Sequence, residues 1–533
     1  MQRIAIDLTP EQYHIADERV AAVARQLHVA PSRIGHIEVV RRSIDSRRGQ
    51  VKYSTLLDVY DAGETFIPPT FNIDYPDCST AQRQIVIVGA GPAGLFAALR
   101  ALQHGVRPVI VERGKPVEER KRDVALLGRE GILNPDSNWC FGEGGAGTFS
   151  DGKLYTRSTK RGDVSEVLRT FVAHGADPSI LIDAHAHIGT DKLSPIIANI
   201  RHTILDHGGQ YLFGCHMNDL LTNNDGHVCG IRTAEGQTIE GDAVILATGH
   251  SARDIYELFH RQGWMLQAKP FALGVRVEHP QQLINSIQYH SSHYSPYLPP
   301  ATYSLTAQVE VGTKSGRGDT HGVFSFCMCP GGVIVPAATA EHQQVVNGMS
   351  NSKRNSPYAN SGIAVTVGVD DVPKYAQYGE MALLRFQQDV ERRIYEAGQA
   401  ATNTKTATAA PSQRLTDFCE GRTSAQLNKS NYLGTCVSAP LHELLPPFVT
   451  DALQQGFRVF DRKMRGFYTE QASIVAMESR TSSPIRIPRG ADFQHPQLRG
   501  LYPCGEGAGY AGGIVSSALD GINTVNAWMQ NKT

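Results

Sequence analysis

Three glycines, Gly89, Gly91 and Gly94, lie between a β-branched run and an apolar helical pattern. The first permits a tight strand-to-helix turn, the second lets the backbone approach a pyrophosphate, and the third lets helix and strand pack closely. The helix that begins here directs free N–H groups and a positive dipole end toward phosphates. A second β-branched run ends at Glu112, whose carboxylate can accept hydrogen bonds from ribose hydroxyls. The order of these features predicts a dinucleotide-binding βαβ unit.

A second glycine-rich stretch, residues 141–153, contains five glycines and ends at Lys153. So many glycines disfavour both helix and strand, and backbone amides in such a loop can close on an anion or a flat ring. The alternative is a flexible surface loop, but Phe141, Ala146 and Phe149 are interleaved with the glycines. We therefore expect this loop to contact a cofactor.

Cys327 and Cys329 are two residues apart in a predicted strand, so both side chains should point to one face. A Cys-x-Cys pair of this kind is a candidate redox dithiol that passes electrons to a cofactor. The alternative is a pair of buried, inert thiols, since closure of a disulfide at this spacing is strained.

Glu478, Arg480 and Arg486 form a second cluster with potential chemistry. The two guanidinium groups can bind a carboxylate in bidentate fashion, and the glutamate can act as a base. Structural salt bridges are the alternative. Arg276 and Glu278 also alternate on a predicted strand, where a cross-strand ion pair explains them as well as catalysis does.

Composition restricts the classes of protein to consider. The chain has 533 residues, 41% hydrophobic and 19% charged, and a formal net charge of −1, so no global charge favours nucleic acid or anionic membranes. No apolar run approaches the ~18 residues of a membrane span. Nine scattered cysteines, none with zinc spacing, and the lack of a secretory signal predict a cytoplasmic protein with reduced thiols and no metal.

The order of predicted elements indicates an α/β protein. After the βαβ unit come a helix (192–207), a strand, a hairpin and a buried strand that ends in Ala247-Thr248-Gly249. These elements complete a doubly wound, Rossmann-like sheet. Residues 251–490 change to mixed strands and a helix near 379–398, which predicts an inserted α+β substrate domain. We expect the dinucleotide-binding domain to comprise residues 82–250 and 491–533.

Residues 1–60 predict a small N-terminal α/β domain, resembling half of a ferredoxin-like fold, and residues 61–81 a proline-containing linker. The expected elements are strand 2–8, a helix over 11–27 and two strands over 35–45 and 50–60. Four arginines near the hairpin form a candidate RNA or protein platform: Arg41, Arg42, Arg47 and Arg48. A solvated strand face balanced by nearby acids explains them better.

Three separated segments, Gly89–Glu112, Ala247–Gly249 and Gly500–Ile514, resemble the two-dinucleotide-binding-domain flavoproteins of the glutathione-reductase-like superfamily. More narrowly, the chain is similar to bacterial FAD-dependent dehydrogenases with a small N-terminal extension. The resemblance implies that FAD is the cofactor and that Gly505-Glu506 replaces the usual Gly-Asp that binds a ribitol hydroxyl. It also implies that Gly512-Gly513 pass close to the isoalloxazine.

The predicted FAD-contacting residues are Gly89, Gly91, Pro92, Ala93, Gly94, Glu112, Arg113, Gly145, Ala146, Gly147, Thr148, Lys153, Met217, Ala247, Thr248, Gly249, Gly505, Glu506, Gly512, Gly513 and Ile514. Met217 matches a position whose backbone usually pairs with adenine. The helix that starts near Ile514 should aim its N-terminus at the flavin pyrimidine edge, where negative charge develops on reduction.

The expected function is that of an FAD-dependent oxidoreductase that transfers a hydride to or from flavin N5. Its partner is a small-molecule substrate or electron carrier, with an anion as one option, and NAD(P)H is a candidate transient reductant although no second GxGxxG is present. Two alternatives stay open: a flavin-dependent tRNA-modifying enzyme that uses residues 1–60, and an FAD-stabilised interaction protein without turnover.

Overall fold

The computed structural model describes residues 1–47, 49–156, 161–312, 319–402 and 408–531. The N-terminal elements are β1 (Gln2–Leu8), α1 (Pro10–His14), α2 (Ala16–Leu27), β2 (Ile34–Asp45) and β3 (Lys52–Asp61). The strands form an antiparallel sheet in the order β1-β3-β2. The expected single helix over 11–27 is wrong, because Ile15 is extended (φ −91°, ψ 118°) and divides it in two. Arg48, of the predicted basic hairpin, lies outside the described residues.

The next part of the chain alternates helices and strands. Its elements are β4 (Gln84–Val88), α3 (Pro92–Gln103), β5 (Arg107–Glu112), α4 (Val117–Glu130), α5 (Val164–Ala173), α6 (Thr190–Asp206), β6 (Gln210–Phe213), β7 (Met217–Thr222), β8 (Val228–Thr233), β9 (Thr238–Glu240) and β10 (Val244–Leu246). Strands β7, β8 and β9 form an antiparallel meander. Residues 62–83, all of them described, contain neither helix nor strand.

The remaining elements are α7 (Arg253–Gln262), β11 (Gln267–Ala268), β12 (Phe271–Pro280), α8 (Gln281–Gln288), β13 (Thr306–Val311), β14 (Asp319–Cys329), β15 (Val333–Pro336), β16 (Val346–Met349), β17 (Tyr358–Val367), α9 (Ala382–Ala400), β18 (Ala409–Arg414), α10 (Leu415–Cys419), β19 (Thr435–Ser438), α11 (Leu441–Leu444), α12 (Pro447–Lys463), β20 (Ser473–Glu478), β21 (Ile485–Arg486), β22 (Leu501–Pro503) and α13 (Ile514–Gln530). No helix of the described residues is both long enough and apolar enough to cross a membrane.

A five-stranded parallel sheet has the order β22-β10-β4-β5-β6. Its inner strands β10, β4 and β5 are mainly buried apolar runs because both faces of the sheet are covered there. One face packs against α3, α6 and α13, and the other against the meander and α7. Strand β22 joins this sheet from the C-terminal end of the chain. The fold is therefore a Rossmann-like α/β domain into which a second domain is inserted.

The inserted domain contains a seven-stranded sheet in the order β13-β14-β17-β12-β20-β18-β19, antiparallel except for β18 and β19. Its buried side chains form one core with α12 and with the N-terminal sheet. Helix α9 was expected near its observed position, whereas α12, with Phe457 and Phe460 fully buried, was not expected. Because β14 and β20 belong to this sheet, it carries the residues from 327 to 329 and Glu478.

Candidate functional site

A cavity opens at the carboxyl ends of the parallel strands β4, β5 and β10. Val88, Glu112 and Ala247, from the end of each strand, contribute to its wall. In open α/β sheets, ligands bind at this edge, where loops separate and helices begin. The sheet topology therefore determines where the cavity lies, and the loops that follow the strands determine what it can bind.

The first turn at this edge requires glycine at two positions. Gly89 has φ +106°, and a Cβ there would overlap the backbone of Ala247. A Cβ at Gly94 would overlap the carbonyl oxygen of Gly89, so α3 could not lie as close to β4. Glycine avoids both clashes at no conformational strain. As a result, the start of α3 lies directly beside the cavity.

Two helices direct their N-termini at the same cavity. Helix α3 begins after Gly91 and α13 begins after Gly513, and neither has a side-chain cap. Gly91, Pro92, Gly513 and Ile514 all line the cavity wall. Uncapped N–H groups and the positive dipole end favour anionic groups. A ligand with a pyrophosphate at one position and a ring that gains negative charge at another fits this arrangement.

The Glu112 carboxylate ties three loops together at the cavity. Its Oε2 accepts from the Ala90 N–H (2.8 Å), and its Oε1 accepts from Gly114 (2.9 Å) and Gly142 (3.0 Å). A carboxylate accepts about four hydrogen bonds, so Glu112 retains capacity for a ribose hydroxyl. The residue predicted as a ribose ligand therefore also has a structural role, which the sequence pattern did not predict.

The wall near Glu112 is flat and partly apolar. The Arg113 guanidinium lies over the Phe141 ring, 4.4 Å from its centroid, and forms an ion pair with Asp254. Met217, at the start of β7, is buried and lines the same wall. Planar and apolar groups of this kind fit an adenine ring.

The glycine-rich loop is held from behind by Arg120, which is completely buried. Its guanidinium donates to the carbonyl oxygens of Asn138 (2.9 Å), Trp139 (3.0 Å), Glu143 (2.7 Å) and Gly145 (2.9 Å). Burial lowers the pKa of this arginine to about 10. Because the arginine satisfies the loop's carbonyl groups, Gly145, Ala146 and Gly147 can face the cavity.

Thr148 departs from its predicted role in this loop. Its side chain is fully buried, and its hydroxyl donates to the Glu143 carbonyl (3.2 Å) rather than toward the cavity. Gly505 also lies behind the wall, where its N–H donates to Asp520 (2.7 Å). Both residues shape loops whose neighbours line the cavity.

Glu506 and His250 form a pair at the end of the cavity near α13. The His250 Nδ1 lies 3.3 Å from Glu506 Oε2, and its Nε2 lies 3.1 Å from the Arg480 carbonyl oxygen. A carbonyl oxygen only accepts, so Nε2 carries a hydrogen and donates to it. Both side chains line the cavity.

Arg480 lines the cavity, but its hydrogen-bonding capacity is already used. It donates to Thr339 Oγ1 (2.7 Å), Gln343 Oε1 (2.7 Å) and Ser251 Oγ (3.2 Å), and it lies 3.4 Å from Glu391. An anion would have to displace one of these partners. The predicted bidentate clamp is therefore not present in this arrangement.

Glu478 and Arg486 are not brought to this cavity. Glu478 is buried in the insert's sheet and forms an ion pair with Arg276 of β12. Arg486 lies 5.5 Å from the Tyr510 ring centroid, on the short ladder between β11 and β21. The salt-bridge alternative describes Glu478 better than a role as base. Glu278, on the same strand as Arg276, instead accepts from the Asn431 N–H (3.1 Å).

The Cys-x-Cys segment breaks the alternation that was expected. The pairing of β14 with β17 shifts between Phe326 and Cys329, and Cys327 has φ +48°. Cys327 lines the cavity, whereas Cys329 lies fully buried behind it. The two thiols therefore differ in exposure, because the register shift interrupts the regular alternation of the strand at this point.

Most of the predicted residues meet at one cavity. Those that line it are Gly89, Gly91, Pro92, Ala93, Glu112, Arg113, Gly145, Ala146, Gly147, Lys153, Met217, Ala247, Thr248, Gly249, Cys327, Arg480, Glu506, Gly512, Gly513 and Ile514. Those that do not are Gly94, Thr148, Cys329, Glu478, Arg486 and Gly505.

Several cavity residues were missed by the sequence reasoning. Asn347 of β16 and Thr481 line the wall, and the Thr481 hydroxyl is buried with no hydrogen-bond partner among the described residues. Thr481 directly follows Arg480, which was predicted, so the sequence of the segment after β20 could have indicated Thr481 as well. Asn347 carries no signal, because its strand was not predicted. An orphaned hydroxyl at a cavity wall indicates a ligand atom that would complete its hydrogen bonding.

Family models match three parts of this chain. One described as "FAD-dependent protein, C-terminal domain-like" covers residues 270–481, and one described as "FAD binding domain" covers residues 84–120. A domain of unknown function matches residues 1–60. The matches to FAD proteins thus include both the βαβ unit and the insert's sheet.

A relative from Clostridium beijerinckii, described as an uncharacterized protein, is 39% identical over 518 residues, which are 94% of this chain and 93% of the relative. Among solved structures, a halogenase PltM variant in complex with FAD is 10% identical, covers 84% of this chain and 70% of that chain, and has a TM-score of 0.38. The flavin-dependent brominase Bmp2 is 12% identical, with a TM-score of 0.32, and the match covers 84% of this chain and 79% of that chain.

Proposed function

We propose that this chain, which belongs to one family with the Clostridium beijerinckii relative and matches models of FAD proteins over residues 84–120 and 270–481, is an oxidoreductase whose substrate exchanges a hydride with FAD. Bound FAD supplies a two-electron acceptor and donor at its ring, so the protein itself needs no nucleophile for that transfer. The tasks left to the chain are to hold the cofactor, admit the substrate and supply protons.

The observation that carries the proposal is one continuous cavity reached by both domains. Gly91 and Glu112 of the parallel sheet line it together with Cys327 and Asn347 of the inserted sheet. In this proposal Gly91 and the N-terminus of α3 bind the pyrophosphate and Glu112 binds the ribose. The N-terminus of α13 then faces the flavin ring.

The substrate side of this cavity is proposed at the inserted domain. Phe326, Cys327, Asn347 and Thr481 offer a mixed apolar and polar wall beyond the two helix N-termini. The orphaned Thr481 hydroxyl supports a polar substrate group there. Arg480 contributes positive charge rather than a direct clamp, since its donors are engaged.

The RNA-modification alternative loses its main support at the N-terminal sheet. Arg42 forms an ion pair with Asp183 and Arg47 one with Asp45, so two of the arginines of the candidate platform are neutralised. Arg41 is exposed. We therefore propose a small-molecule substrate or electron carrier rather than nucleic acid.

Reduction of the purified flavoprotein under anaerobic conditions tests this proposal. NADH, NADPH and a panel of small metabolites are each added, and the flavin absorbance bands are followed. Bleaching by at least one reductant supports an oxidoreductase. A flavin bleached by dithionite alone supports instead an FAD-stabilised protein without turnover.

A further inference from the structure

The segment Phe326–Cys329 places the Cys327 thiol at the wall of the proposed FAD cavity. It does so with an unfavourable backbone conformation. Cys327 has φ +48°, which is rare for a residue with a side chain, and it lies where the β14–β17 pairing shifts. Backbone strain of this kind tends to cluster at functional sites. Bulges are common beside active sites, and this one lies where Cys327 reaches the cavity wall.

The positively charged side chains near Cys327 favour its thiolate form. Arg276 donates to the Cys327 carbonyl oxygen (2.8 Å) and pairs with Glu478, and Arg354 pairs with Asp151. Lys153 is the third positively charged side chain, and its ammonium group donates to the carbonyl oxygen of Met328, the residue between the two cysteines. No carboxylate within the described ranges forms an ion pair with Lys153, so negative charge at Cys327 would balance it.

The second thiol, that of Cys329, differs from Cys327 in both burial and pKa. Cys329 is fully buried, 3.8 Å from an Arg276 Nη2 and 3.2 Å from the Cys327 carbonyl oxygen. A hydrogen bond from the Cys329 thiol lowers the pKa of Cys327 to about 7 and raises that of Cys329. With an accessible thiol beside a buried one, a substrate thiol can react at the first sulfur while the second closes the disulfide behind it.

We propose that Cys327 and Cys329 form a redox-active dithiol that exchanges two electrons with FAD, and that the cavity takes a small dithiol substrate. This inference rests on the proposed function, because it needs FAD in the same cavity. Both cysteines are free thiols in this structure.

The electrons and atoms balance in two steps. First, the Cys327–Cys329 bond forms as both thiols lose their protons and two electrons, and FAD, the acceptor, takes up the two electrons and two protons. Second, a thiolate of the substrate attacks the Cys327 sulfur, and a mixed disulfide forms as the bond to Cys329 breaks. The second substrate thiol then closes the substrate disulfide and releases Cys327, so the net reaction oxidises one dithiol and reduces one FAD.

Dithiothreitol is the dithiol probe for an anaerobic test on the full-length flavoprotein. We expect it to bleach the flavin of the wild type, while Cys327→Ser and Cys329→Ala lose at least about 100-fold in the rate of bleaching. Cys229→Ser is the matched control, because Cys229 is a half-buried free thiol of β8 outside the lining of this cavity; its rate should equal that of the wild type. Equal rates in all four proteins would overturn the proposal.

A thiol count on the wild type needs no variant to fold. The chain has nine cysteines, so Ellman's reagent in denaturant should find two fewer thiols after mild oxidation with diamide, with the loss mapped to the peptide containing Cys327 and Cys329. A disulfide between other cysteines, or no loss of thiols, would overturn the proposed Cys327–Cys329 pair. If NADH bleaches the flavin while dithiothreitol does not, the dithiol inference fails and the proposed function stands. If dithionite alone bleaches it, the proposed function fails.

Discussion

At the scale of single residues, the cavity depends on buried charged side chains that serve the backbone. Glu112 accepts three backbone N–H groups and Arg120 donates to five carbonyl groups. Hydrogen bonds of this kind are charge-assisted, and removing one partner leaves the other buried and unsatisfied. The loops around the ligand are therefore fixed before any ligand binds.

Replacing Glu112 with alanine tests this double role. We expect the free energy of unfolding to fall by about 1–3 kcal/mol even without FAD, because three buried N–H groups lose their acceptor. FAD affinity should fall as well. Urea denaturation of the apoprotein and FAD titration by fluorescence provide the two measurements. Glu119→Ala, an exposed change on α4, is the control. An apoprotein as stable as the wild type would contradict the structural role.

At the scale of elements, the sequence predicted the parallel βαβ unit well, because each signal there is local: an apolar run, a glycine turn and a strand end. The insert was harder, since β18 contains Pro411, Ser412 and Gln413 and gains its stability from β20, a sheet neighbour distant in the chain. The bulge at Cys327 illustrates the same limit. Residue alternation is a local rule, whereas the shifted register depends on how β17 pairs with β14.

The contact between α7, α9 and the segment after β20 depends on one buried carboxylate. Burial alone would raise the pKa of Glu391, but Arg253 of α7 and Arg480 hold it at about 2. The folded-state pKa is thus depressed below an unfolded value of about 4.3. By linkage, the stabilisation is complete above that unfolded value and is lost as the pH falls toward 2.

The stability difference between wild type and Glu391→Gln should therefore depend on pH. Chemical denaturation should show the advantage of the wild type over the variant shrinking by about 3 kcal/mol, mostly between pH 5 and pH 2. Gln388→Ala, in the next turn of α9 but outside this ion pair, should show no such trend. A difference that stays constant over this pH range would contradict the ionised state of Glu391.

The N-terminus of α13 should tune the flavin potential. Ser516 lies in its first turn, lines the cavity and accepts from the Gly512 N–H (3.2 Å). Ser516→Asp keeps an acceptor there but adds negative charge, which disfavours the reduced, more anionic flavin. We expect the midpoint potential to fall by at least about 10 mV. Gln530→Glu, at the other end of the helix, should leave it unchanged. An equal shift in both variants would argue against a flavin at this N-terminus.

At the scale of the whole molecule, the site is a product of chain topology. The chain leaves the parallel sheet after β10, builds the inserted sheet and returns through β22, which pairs with β10. This path brings Cys327 and Asn347 to the same cavity as Gly91 and Glu112. The sequence indicated the return through the Gly505-Glu506 segment, but not which insert residues would reach the cavity.

Anaerobic reduction of the purified flavoprotein shows whether the cavity is a redox site. The protein should carry FAD, and its absorbance near the flavin bands should bleach on addition of NADH, NADPH or a small-molecule substrate. Reoxidation by air should restore it. A flavin that dithionite reduces but that none of these reductants bleaches would contradict a redox role for the cavity.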